Sequence, residues 1–397
     1  MKMKIRLSIV MFIQFFIWGS WYITMGTYLK YTLHFSGAQI GLAYSTAAIA
    51  SMISPFIVGM IADRYFSANR VLAFLNAVGV VLLCLLTQVK EFSLFFPLLL
   101  LYTICYMPTT ALCNSVSMVN LANPTKEFSR IRLLGSIGWI AAGVLVSFLK
   151  IEALATPFYI AAIASALGIF ITLWLPYRAP ERIAGIKWTQ IIGIDAFRLI
   201  KDKPFAIIFI FSVLTCIPLA FYDSFTNVFL NSMQVQNAAA VMCSGQIVEI
   251  ICLILFPLLF VKLRYKGSIG LSILIWTFLY GLLALSAYTN NTLWSYIALP
   301  LHGFCFTFFF VSGQLFVDEK APANLRNSAQ GLIAFATYGV GKYSGALISG
   351  QTVDLFTRDG VADWTSVWLI PMIFIFVVFV GFITLFKEKK VVSPVSE

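Results

Sequence analysis

The sequence predicts an all-α polytopic membrane protein, twelve transmembrane helices in two pseudo-symmetric six-helix bundles, and three observations carry that prediction. Sixty per cent of the 397 residues are apolar and only 11% are charged, with a mean hydropathy of +0.91. A soluble chain carries about 25% charged residues, so 27 basic and 16 acidic side chains cannot coat a water-soluble protein of this length. Apolar stretches of about 20 residues, enough to cross the hydrocarbon core, recur along the whole chain. The basic residues between them alternate in density. Soluble, disordered and coiled-coil classes are excluded.

The first span, 7–29, is too long for a signal-peptide core and lacks a small-residue cleavage site, so it stays in the protein. The second, 38–61, contains Pro55, which a membrane helix tolerates when neighbours satisfy the freed backbone. Spans 71–89, 93–119, 131–149 and 157–176 complete a first set of six. Spans 204–230, 237–260, 268–288, 292–316, 326–350 and 365–386 form the second set. The division is therefore a six-helix bundle over 1–176, a connector over 177–203, and a second bundle with a short tail over 204–397. In the connector, Ile186–Leu199 suits a short surface helix, with Ile191, Ile194, Phe197 and Leu199 towards the membrane, or an ordinary solvated linker.

Charge orients the chain. With the N-terminus cytoplasmic, 22 of the 27 basic residues fall in inside segments. Lys30, Lys90, Lys150 and Arg358 fall outside, and Lys342 lies within a span. Both termini are predicted cytoplasmic. The net charge of +11 is thus orientation signal facing anionic lipid, not a nucleic-acid footprint. Seven cysteines sit in apolar stretches without a CxxC pair, and two histidines do not make a metallohydrolase site. The second and eighth spans offer weak internal symmetry. Gly37-Ala38-Gln39 opens one and Asn237-Ala238-Ala239 the other, and two similar halves are what a transporter uses.

Polar groups inside spans need a cavity, a partner or an ion route. Gln246 and Glu249 are three residues apart and share a helix face. Glu249 is the first candidate for a proton-carrying carboxylate, against a structural role fixed by Lys342 or an arginine. Asp223, four residues before Asn227, is the second. Arg132, Ser136 and Trp139 lie along one face of the fifth span, where Arg132 suits a bidentate pair or substrate oxygens. His302, Phe306 and Thr307 lie in the tenth. Lys342 sits among Gly339, Gly341 and Gly345, where a structural counter-ion is the plainer reading. An aromatic wall with amide and carboxylate groups suits a planar polar solute such as a base or nucleoside, and equally a sugar.

The loop Gly59-Met60-Ile61-Ala62-Asp63-Arg64-Tyr65-Phe66-Ser67-Ala68-Asn69-Arg70 resembles the short Gly–Asp–Arg loop of the major facilitator superfamily. Longer runs narrow the resemblance: Phe15-Phe16-Ile17-Trp18-Gly19-Ser20-Trp21-Tyr22, Phe128 to Trp139, Phe225 to Leu230, Gly245 to Glu249, His302 to Phe309, and Arg326 to Leu332. In that order and placement the chain resembles the nucleoside:proton symporter family of that superfamily over essentially its whole length. The resemblance implies the major facilitator fold. It also implies proton-coupled nucleoside uptake across the inner membrane, with Arg132, Ser136 and Trp139 as a binding trio and Gln246 and Glu249 on the nucleoside. His302 falls where a tyrosine is familiar, and Thr307 where an aspartate is found in relatives. Ala220 and Asp223 stand where glutamine and asparagine are expected, which points to a rearranged proton site or an altered base preference.

The expected site is Arg132, Ser136, Trp139, Asp223, Asn227, Gln246, Glu249, His302, Phe306 and Thr307, with Glu249 and Asp223 as proton carriers. The proton is the coupling ion and no other cofactor is expected. The expected partners are a nucleoside and membrane lipid, without nucleic acid, for a functional monomer. A sugar or nucleobase transporter working by facilitation or symport is the alternative, followed by a non-transporting sensor. A membrane enzyme lacks a coherent nucleophile and base set.

Overall fold

The computed structural model describes residues 2–61, 67–121, 123–175, 194–322 and 325–388. Asp63, Arg64 and most of the connector, including Ile191 of the expected surface helix, lie outside them. The chain forms α1 (Lys2–Tyr22), α2 (Met25–Tyr31), α3 (Gly37–Ile61), α4 (Ala68–Leu86), α5 (Phe92–Asn120), α6 (Pro124–Phe148) and α7 (Thr156–Leu173). A 3₁₀ turn at Ile194–Lys201 precedes α8 (Lys203–Ser232), α9 (Ala238–Thr289), α10 (Leu293–Lys320) and α11 (Arg326–Ala334). A π turn (Phe335–Gly341) joins α11 to α12 (Lys342–Leu355), and a two-residue hairpin, β1 (Thr357–Arg358) with β2 (Val361–Ala362), leads to α13 (Trp364–Leu385).

These helices follow the apolar stretches, with three differences. The first stretch is broken at Ile23-Thr24, between α1 and α2. The eighth and ninth stretches are two helices that meet at Arg264 with no longer loop between them, its φ of 50° and ψ of −161° being non-helical; the 52 residues are labelled α9 together. Each of the two parts, about 25 residues and so roughly 38 Å at 1.5 Å per residue, is long enough to cross the hydrocarbon core by itself. The eleventh contains the π turn, where one turn is wound wider than in an α-helix. Among the described residues nine helices, α9 counted once, are long and apolar enough to cross a membrane.

Lys4 bonds Glu127 at one end of the first half, and Arg264 bonds Glu388 at one end of the second. Helix directions put both pairs at the same end of the bundle, here called proximal; the opposite end is distal. Large apolar side chains such as Ile163, Phe170, Ile254 and Leu258 point outward and exposed, as a lipid-facing surface requires. One extended core runs through both halves, from Trp21 and Phe158 to Phe229 and Trp368. Towards the proximal end the first half keeps a core of its own, built on Leu7, Met11, Leu72, Cys113 and Ile131.

The halves meet along two seams, α3 against α12 and α6 against α9. Gly41 makes the first possible, because a Cβ there would lie 2.2 Å from the Ala346 carbonyl. On the second seam, Cys243 of α9 packs against Gly143 of α6. Every hydrogen bond described between the halves, from Thr27–Asn227 to Ala38–Asp354, lies distal or on a seam. The bundle is closed at that end.

Candidate functional site

A cleft lies between the halves, lined by Trp18, Tyr22 and Tyr44 from the first and by Asp223, Tyr338 and Lys342 from the second. Its wall on the first half is aromatic. Trp18 meets Trp139 edge-on at 5.3 Å and Tyr22 at 5.7 Å, and Tyr22 meets Tyr44 at 5.1 Å. The indole N–H groups of Trp18 and Trp139 are buried without a hydrogen-bond partner.

The second half supplies charge. Lys342 Nζ lies 2.6 Å from Asp223 Oδ2, with the two side chains 20% and 16% exposed, so the pair is not sealed from the cleft. Both partners belong to the same half, on α12 and α8, so rocking of the halves does not have to break it. The ammonium also lies 5.3 Å from the centre of the Tyr338 ring. Tyr338 reaches the cleft from the π turn, one of the positions where wide turns recur at functional sites.

Glu249 and Gln246 are half-buried on α9. Gly303 of α10 comes so close that an added Cβ would lie 2.0 Å from the Gly245 carbonyl, which fixes α10 against this part of α9. Thr307 is buried there, its hydroxyl donating to the Glu249 carbonyl at 3.4 Å. Arg132 stacks over the Phe15 ring at 4.2 Å, and its charge acts on Glu249 from the opposite half. Neither residue has an ion-pair partner within 4 Å among the described contacts, in contrast to Asp223.

The remaining expected residues are placed differently. His302 is buried, stacked on Tyr222 at 4.0 Å with the rings parallel, and its Nδ1 has no partner. Phe306 is partly buried and packs on Phe310 at 4.4 Å. Ser136 is half-buried on α6. Asn227 lies away from this group. Its amide Nδ2 donates to Glu152 at 2.9 Å while its oxygen accepts from Thr27, so both its functions are engaged in the distal network. The sequence reading passed over Tyr22, Tyr44, Tyr338 and Glu152. Tyr22 and Tyr338 carried a signal, the first closing the Phe15–Tyr22 run and the second next to the glycines around Lys342.

The family model for the nucleoside H+ symporter matches residues 1–391. The chain belongs to that family. It is accordingly a proton-coupled nucleoside transporter of the inner membrane and not an enzyme. It is 35% identical to the nucleoside permease NupG of Escherichia coli (strain K12) over 410 residues, covering 99% of this chain and 98% of the relative. The xanthosine permease of the same organism is 34% identical over 386 residues, covering 93% and 92%. A crystal structure of the nucleoside transporter NupG superposes with a TM-score of 0.90 at 34% identity, covering 98% of this chain and all of the other. The POT family transporter PepTSo, at 12% identity and a TM-score of 0.76 over 97% of both chains, shares the fold alone. The fold is of the major facilitator type, as the sequence predicted.

Proposed function

We propose that the chain crosses the membrane twelve times with both termini cytoplasmic, as two six-helix halves over 1–176 and 204–397 joined by the 177–203 connector. Counting α1 with α2 as one crossing, α9 as two, and α11 with α12 as one is compatible with that number. On this orientation the distal end faces outward and is closed, so the cleft faces the cytoplasm. The protein works as a monomer surrounded by lipid, needs no cofactor besides the proton, and takes up nucleoside by rocking the halves about the central site.

In this reading Glu249 carries the proton. The observation that supports it most is the contrast between the two carboxylates. Asp223 holds the Lys342 ammonium at 2.6 Å, whereas Glu249 has only the more distant Arg132 charge across the cleft. A proton taken at Asp223 would leave the ammonium without its counter-charge in a poorly solvated site. A proton taken at Glu249 breaks no ion pair. Gln246 and Arg132 hydrogen-bond the nucleoside, and Trp139 or Phe306 stacks on the base. Ser136 adds to the first-half side of the site and Asp223, His302 and Thr307 to the second-half side, while Asn227 acts through the distal network that holds the halves together.

Uptake of labelled uridine and adenosine into liposomes, with and without an inward proton gradient, tests this reading. Accumulation above equilibrium only with the gradient supports it. Normal proton-driven accumulation after joint replacement of Glu249 and Asp223 removes both as carriers. Competition by hexoses or free bases in place of nucleosides would favour a different solute.

A further inference from the structure

We propose that Glu152 and Asp354 are reciprocal latches that hold the distal ends of the two halves together, and that both must release before the cleft opens on that side. The proposal rests on the alternating-access reading above. Glu152 follows α6 in the first half and is buried. Its Oε1 accepts the Ala239 N–H at 2.9 Å and the Ser147 hydroxyl, and its Oε2 accepts the Asn227 and Asn231 amides at 2.9 and 3.0 Å. Ser147 in turn accepts the Ala240 N–H at 3.0 Å. An acid of the first half thus caps the start of α9 in the second.

Asp354 does the converse. It lies near the end of α12 in the second half, and its two oxygens accept the Gly37 and Ala38 N–H groups at 2.5 and 2.8 Å, at the start of α3 in the first half. The two helix starts are the weakly similar segments Gly37-Ala38-Gln39 and Asn237-Ala238-Ala239, and the symmetry relating them extends to the acids that cap them. Neither helix start has these N–H groups satisfied from its own side. The side chain of Asn237 makes no cap bond, and its left-handed backbone turns the chain directly into α9. Ser36 and Gln39 bond each other in a capping box, leaving Gly37 and Ala38 to the opposite half. A carboxylate at a helix N-terminus gains from both the oriented N–H groups and the dipole.

The donors to both acids are neutral. Opening therefore exchanges them for water and strands no counter-ion, which suits a contact made and broken in every cycle. Beneath the first latch, one turn along α9, Cys243 is 1% exposed against Gly143. It is a native reporter of whether the α6–α9 seam is open.

The test uses the full chain in sealed right-side-out and inside-out vesicles, with a membrane-impermeant maleimide as probe and Cys243→Ser as the blank. Glu152→Gln and Asp354→Asn should each raise the labelling rate of Cys243 from the distal side by about tenfold, the factor expected for one lost charged hydrogen bond. The Asp354 result decides the matter, because that residue caps a helix on the other seam and reaches Cys243 only by moving the halves as bodies. Both variants should also lower the half-saturating external nucleoside concentration together with the maximal rate. Damage to folding lowers the rate without that shift. If Glu152→Gln does not fold, Ser147→Ala weakens the same latch by one bond. Unchanged Cys243 labelling in Asp354→Asn, or an unshifted half-saturation, overturns the proposal. Enhanced labelling from the cytoplasmic face of the membrane only would overturn the assigned orientation and leave the latches standing.

Discussion

The distal seam and the central cleft both bury polar groups between the halves, and they treat them in opposite ways. At the seam Glu152 accepts four bonds, Asp354 accepts two, and Asn227 both donates and accepts. At the cleft the Trp18 indole has no partner, nor do the Trp139 indole packed against it and His302 Nδ1, and Glu249 has no ion pair among the described contacts. A buried group left incomplete costs stability. Incomplete groups also occur elsewhere, at Ser67, Ser268 and Trp368 for example, so the contrast concerns these two regions and how each treats the polar groups it holds. The Asp223–Lys342 pair is the exception, a satisfied contact inside the working cavity.

The contrast is most sharply tested by removing the incomplete carboxylate. Glu249→Gln mimics its protonated form and should abolish gradient-driven accumulation while nucleoside exchange between the two sides persists, measured by counterflow in liposomes. Loss of exchange as well would make Glu249 a binding residue instead. Next in size, Lys342→Met should destabilise the protein by about 3 kcal/mol by stranding Asp223. Adding Asp223→Asn should restore most of it, read as thermal unfolding in detergent. Gly41→Ala pushes a methyl into the Ala346 carbonyl and should cost about 2 kcal/mol of seam packing. Its signature is faster Cys243 labelling from the distal side.

Trp139→Ala removes one stacking face, worth about 1 kcal/mol, and should raise the half-saturating nucleoside concentration several-fold with little change in maximal rate. The smallest effect lies outside the membrane. Asp363 caps α13 by accepting the Ser366 hydroxyl at 2.6 Å and its N–H at 3.3 Å, and that hydroxyl bond holds its carboxyl below the usual range. A lowered folded value means the contribution is present at neutral pH and fades as pH falls through the acid range where the carboxyl protonates. Asp363→Ala should cost about 1 kcal/mol at pH 7 and progressively less in acid, seen in melting curves across pH.

The spans were legible because hydrocarbon selects length and apolarity directly, and the stretches around Phe92–Asn120 or Trp364–Leu385 can be read by counting. The place of the junction between the eighth and ninth spans was legible too, marked by Lys262, Arg264 and Lys266. Its form was not, since a single residue of unusual backbone, Arg264, breaks the helix there. Within the site, Gln246 and Glu249 declare a shared face by their spacing. Asp223 and Lys342 are 119 residues apart, and nothing local announces that they pair. Glu152 was the least visible, since beside Lys150 it looks like an ordinary charge at a loop. Its partners Asn227 and Asn231, four residues apart on α8, became meaningful only once the halves were in contact.

The π turn at Phe335–Gly341 gives this cleft an adjustable part. Deleting one residue from it would wind the segment as an ordinary α-helix with the flanking faces kept in register, and only the turn that carries Tyr338 would be re-aimed. Tyr338 would then leave the cavity while the ion pair stayed in place. One added or missing residue in a single helix turn is therefore enough to reshape the wall that a solute meets.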